Sequence, residues 1–171
     1  MEMRFKENGL RGLMKSFVYA FRGIVFCIRN ERNMRIHLFA ALSVGLFSLK
    51  FGLTRTEYAL LCLTVGSVIV CEMVNTAIEA LVNLETSAYN QFARIAKDVA
   101  AGAVLVAAIA AAGTGFALFF RFPKLTDVLT DIFSVPWMIL FVVGWLILGI
   151  FFIFFMPSRS IRPRGTKTKQ K

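Results

Sequence analysis

Four apolar runs dominate the chain, at Ile36–Leu53, Tyr58–Leu84, Val99–Phe120 and Val135–Met156. Each approaches or exceeds the roughly 20 residues that a helix needs to cross a bilayer. Lys50 lies near the end of the first run, where a long cationic side chain can snorkel to the interface. Ahead of it, Leu10, Leu13, Phe17, Phe21, Ile24 and Ile28 recur at steps of three and four, while Arg11, Lys15, Arg22 and Arg29 lie largely elsewhere. That period predicts an amphipathic helix over Leu10–Arg29, lying in the membrane interface or packed on a partner. Loops are expected around Arg55 and over Arg121–Asp131. The stretch after Met156, PSRSIRPRGTKTKQK, has no apolar period and is expected to be disordered. The pattern predicts an all-α integral membrane protein: an amphipathic surface helix, three transmembrane helices and a fourth, C-terminal one.

Composition agrees. Of the 171 residues, 57% are hydrophobic and the mean hydropathy is +0.68, above the roughly 45–50% apolar usage of soluble domains. The net charge of +10 does not point to nucleic acid, because the cations flank apolar helices instead of forming one basic face. They gather before the first run (Arg4 to Arg35), between the second and third (Arg94, Lys97), and after the fourth (Arg159 to Lys171). The positive-inside rule makes these regions cytoplasmic, and an even number of spans places both termini there. The amino-terminal segment shows no small-residue cleavage site and does not read as a secretory signal. Cys27, Cys62 and Cys71 have no metal-binding spacing and read as packing residues. His37 reads as a packed or solvated side chain, Trp137 as an interfacial anchor, and Trp145 as a packing residue.

The second run carries the chemistry. Glu72, Asn75, Glu79 and Asn83 fall at i, i+3, i+7 and i+11, which on a helix form one stripe. An ionised carboxylate at the bilayer centre costs at least about 2.5 kcal/mol, so the two glutamates need a compensating partner. A cation from another helix, a bound metal ion or protonation would each serve. Glu31 before the first run and the Lys97–Asp98 pair at the start of the third return to the same membrane face. Such a set can supply hard oxygens for Mg²⁺, which takes one or two carboxylates plus substrate phosphates. Lys97 can neutralise phosphate oxygens, and a deeper carboxylate, Glu72, can accept the proton of an incoming hydroxyl. The third run, rich in Ala and Gly, favours close helix packing in lipid.

The strings KSFVYAFRGI, RNERNMRIH, CEMVNTAIEALV and ARIAKDVAAGAVLVAA resemble the small integral-membrane diacylglycerol kinases of bacteria, particularly their undecaprenol kinase branch. The resemblance covers about Lys15 to Phe120. It implies a three-span protomer with a surface helix, assembled as a homotrimer with active sites shared between neighbours, transferring the γ-phosphoryl group of ATP to a lipid alcohol. It implies that Glu72 is the general base, that Glu31 and Glu79 bind the metal, and that Asn75, Lys97, Asp98 and Tyr19 surround the nucleotide. Departures include Asn83 where the family often has aspartate, Ala88 and Asn90 flanking Tyr89 in place of its EYH, and Gly12 where an arginine is frequent. The fourth run and basic tail exceed the minimal family, and no lipid-phosphatase signature accompanies them. The division expected is a kinase-like domain over 1–122 and an added helix and tail over 123–171. A non-catalytic relative and a small transporter with Glu72 and Glu79 lining its path are the rival readings.

Overall fold

The protein, as a computed structural model, is described over residues 9–85 and 90–156. The expectations for the basic tail, the amino-terminal cations Arg4 and Lys6, and the departures at Ala88 and Tyr89 lie outside those residues. The element order is α1 (Gly9–Asn30), α2 (Arg32–Phe51), α3 (Arg55–Glu85), α4 (Gln91–Phe119), α5 (Lys124–Ser134) and α6 (Pro136–Phe155). Four of these, α2, α3, α4 and α6, are long and apolar enough to span a membrane. α1 is the expected amphipathic helix, exposing Leu10, Leu13, Phe17 and Phe21. The protein is an all-α integral membrane protein.

Local chemistry sets the boundaries. α1 passes into α2 through a single extended residue, Glu31, with φ −104° and ψ 120°. α2 stops at Gly52, whose φ of +62° is the left-handed conformation glycine adopts without steric cost. Asn90 opens α4: its side chain accepts hydrogen bonds from the backbone N–H groups of Phe92 and Ala93. These are donors the first turn of a helix cannot satisfy itself. Asn90→Ala should therefore lower unfolding stability by about 1 kcal/mol, read as a reduced thermal midpoint in detergent.

The segment Arg121–Asp131, expected as a loop, is largely helical, since α5 begins at Lys124. Leu125, Val128, Leu129 and Ile132 recur at helical steps, and Val128 is buried against Phe51, Leu53, Leu61 and Leu118. This apolar cluster closes the end of the bundle where α2 turns into α3. Phe51 is fully buried there, with the Arg121 guanidinium 5.1 Å and the Lys124 ammonium 5.0 Å from its ring centroid. Glu57 accepts a 2.7 Å charged hydrogen bond from Arg121 and another from the Thr54 N–H. Polar groups thus roof an apolar plug.

α4 packs chiefly along α3, while Leu105, Val106 and Ile109 remain exposed. α6 lies against α2: Trp145 stacks on Phe39 with centroids 5.5 Å apart and donates its indole N–H to Ser43 Oγ at 2.9 Å. Trp145 is a packing residue, as expected. Cys27 is buried and Cys71 partly so, but Cys62 is exposed on α3, so the packing expected of it is not found within one chain.

Candidate active site

α3 is about three turns longer than the antiparallel α2 beside it. The start of α2 therefore arrives partway down α3, level with the polar stripe, and the last turns of α3 run on past it. Glu72 lies about 20 Å from the C-terminal end of α3. It is only 1% exposed, with Asn75 and Thr76 buried beside it. Among the described residues neither carboxylate oxygen of Glu72 has a hydrogen-bond partner. Asn75 donates through Nδ2 to Glu79 Oε1 at 3.0 Å, and its own Oδ1 is unpartnered. Thr76 spends its hydroxyl on the Glu72 backbone carbonyl, at 2.9 Å.

Glu31 completes a cluster of three carboxyls. Burial pushes its carboxyl above the usual range, the Glu79 charge adds to that, and Arg35 opposes both. Glu31 and Glu79 also repel Glu72. Since α1 and α3 meet here, Cys27 sits against Thr76 close to Glu31 and Glu72, and burial raises its thiol. Cys27 and Thr76 were not legible as site residues: each is a small side chain in an apolar stretch, without a spacing signal.

Lys97 and Asp98 are separated by the 100° step of an α-helix and cannot serve one neighbour together. Lys97 faces α3, donating to Asn83 Oδ1 at 2.8 Å. The amide oxygen of Asn83 accepts that bond, which ties α3 to α4. Asp98 pairs within its own helix with Arg94, 3.7 Å away, and both side chains are well exposed. Tyr19 is also exposed, and its ring lies 6.0 Å from the Arg22 guanidinium carbon. Neither Asp98 nor Tyr19 makes a hydrogen bond or ion pair with the three carboxyls. The chain thus brings together Glu31, Glu72, Asn75 and Glu79, places Lys97 one turn further along the stripe, and leaves Tyr19 and Asp98 outside.

Among the described residues no three His, Cys, Asp or Glu side chains are disposed to hold a metal ion by themselves. The donor set nevertheless fits Mg²⁺, which needs only one or two carboxylates when phosphate oxygens and water fill the remaining positions. The unpartnered oxygens of Glu72 and the mutual repulsion of the cluster are the features a divalent cation relieves.

Relatives give this geometry a family. The sequence profile described as prokaryotic diacylglycerol kinase matches residues 18–119. The chain is 38% identical to the undecaprenol kinase of Bacillus subtilis over 125 residues, which span 73% of this chain and all of that protein. It is 42% identical over 104 residues to a diacylglycerol kinase of Synechocystis, covering 60% of this chain and 59% of the relative. A diacylglycerol kinase of Haemophilus influenzae is 28% identical over 103 residues, covering 60% of this chain and 87% of that protein. No solved structure matches the chain. A profile match over most of α1 and all of α2, α3 and α4, together with these relatives, places this multi-pass membrane protein in the prokaryotic diacylglycerol kinase family, as a lipid kinase.

Proposed function

We propose that the protein transfers the γ-phosphoryl group of ATP to undecaprenol, forming undecaprenyl phosphate and ADP. The observation carrying this reading is Glu72, buried with both oxygens unpartnered between two further carboxyls. In that position Glu72 accepts the proton of the lipid hydroxyl. The freed oxygen attacks the γ-phosphorus as the bond to the β-phosphate bridging oxygen breaks. Glu31 and Glu79 are the residues that would hold Mg²⁺, and its chemistry when bound is to neutralise the charge of the β- and γ-phosphate oxygens. Asn75 orients Glu79 through its 3.0 Å hydrogen bond. Lys97 supplies a point charge for phosphate.

Tyr19 and Asp98 enter the site, in this reading, from adjacent copies in a homotrimer. Their exposure within one chain supports that, as does the uncovered surface of the Ala- and Gly-rich α4. The protein sits in the bacterial plasma membrane with both termini cytoplasmic, which the distribution of Lys and Arg supports.

Undecaprenol is favoured because ERNMRIH and KDVAAGAV resemble the undecaprenol branch, and because the chain covers the whole of the undecaprenol kinase it matches. Diacylglycerol is the second acceptor to consider, given the 42% identity to a kinase of that name. Incubating purified protein with γ-labelled ATP, undecaprenol and diacylglycerol in the same vesicles decides between them. Label is expected mainly in undecaprenyl phosphate; label mainly in phosphatidic acid overturns the acceptor, and unlabelled lipid with a folded protein overturns the reaction.

Glu31→Gln keeps the shape of the side chain but removes a charge. The Mg²⁺ concentration giving half-maximal rate should then rise about tenfold or more, in line with losses seen on disturbing metal sites. An unchanged Mg²⁺ dependence would remove Glu31 from the metal site.

A further inference from the structure

α6 lies wholly beyond the family-matched residues 18–119. It nevertheless reaches, through Arg35, the α1–α2 turn that carries Glu31. This arginine is 5% exposed and sits one turn after Glu31. A guanidinium carries five N–H donors, no acceptor and a charge it cannot shed, so burying it requires several acceptors. Two helix ends provide them. Nη1 donates to the carbonyls of Ile28 and Arg29, at 3.4 and 3.2 Å, in the last turn of α1. Nε donates to the carbonyl of Ile153 at 3.2 Å, in the last turn of α6. Terminal carbonyls lack intrahelical partners and carry the negative end of the helix dipole, and here one cation serves both.

Contacts higher on α6 fix this arrangement. Trp145 bonds Ser43 and stacks on Phe39, and Gly149 admits the Phe39 ring so closely that any Cβ there would overlap it. We infer that α6 is a clamp: by supplying the Ile153 carbonyl to Arg35 it holds the α1–α2 turn, which makes Arg35 a positioning residue for Glu31. The clamp stands on these contacts alone, and its consequence for metal binding rests on the role proposed for Glu31.

Gly149→Leu tests it in the full-length chain in lipid nanodiscs, because it pushes α6 from α2 without altering any residue of the carboxylate cluster. Amide hydrogen exchange across Ile28–Arg35 should quicken by roughly tenfold, while exchange around Phe51 stays unchanged. Mn²⁺ affinity, read by electron paramagnetic resonance with a non-hydrolysable ATP analogue, should weaken about tenfold. Arg35→Lys is the second variant: it keeps the charge but cannot bridge two helix ends, and the same two changes are expected. Unaltered exchange in either assembled variant overturns the clamp. Faster exchange with unaltered Mn²⁺ affinity overturns the positioning of Glu31. A parent chain that phosphorylates neither lipid overturns the kinase reading, and the exchange measurement still decides the clamp.

Discussion

Glu72→Gln should lower the turnover number for lipid phosphorylation by about 10²–10⁴-fold, the range a positioned general base contributes. Glutamine matches the shape of the side chain, so the helix and the neighbouring Asn75 and Thr76 need not move. What disappears is a carboxylate whose oxygens have no other hydrogen-bond partner among the described residues. Label from γ-labelled ATP in extracted lipid measures the loss, and circular dichroism with a thermal melt checks that the protein is folded. Removing a charge buried to 1% exposure gives no reason to expect destabilisation, since an uncompensated ion in a membrane span is itself costly. A variant that is as stable as the parent and nearly as active would show that Glu72 is not the base.

The four spans were legible because apolar run length alone reports them, and the Glu72–Asn75–Glu79–Asn83 stripe because helical period alone aligns it. What a single sequence conveyed poorly was how helices meet. The break at Glu31 has no Pro or Gly to announce it; one extended residue turns the surface helix into a span. Arg35 looked like one more topology-setting cation before the first span, whereas its guanidinium is consumed by three carbonyls on two helices. α5 did carry a signal, Leu125, Val128, Leu129 and Ile132, but its interleaved Lys124, Asp127 and Asp131 gave the segment the polarity of a loop. Asn90 read as a loss relative to the family pattern and is a helix cap. For Arg35 and α5 the missing quantity was a tertiary partner, which residue type does not encode; for Glu31 and Asn90 it was a local backbone choice.

The separation of chemistry from scaffold can be tested at the opposite end of the bundle. Phe51→Ala should destabilise the protein by about 3 kcal/mol, toward the lower end of the range for a buried aromatic. The ring is fully buried and meets Phe47 and Phe119 at centroid distances of 5.8 and 5.2 Å. Its removal leaves a cavity ringed by Leu53, Leu61, Leu118 and Val128 and takes the aromatic face from under Arg121 and Lys124. The cavity cost remains in a membrane, but the transfer contribution shrinks where lipid, not water, is the alternative environment, which sets the value low in the range. Since α2 is 20 residues long, about 30 Å separate Phe51 from Glu31. The melting midpoint in detergent should therefore fall by several degrees while turnover below that temperature stays within about twofold of the parent, because cavity effects are local and sites this far apart act nearly independently. A variant that lost turnover while keeping its melting midpoint would tie the roof of the bundle to the reaction.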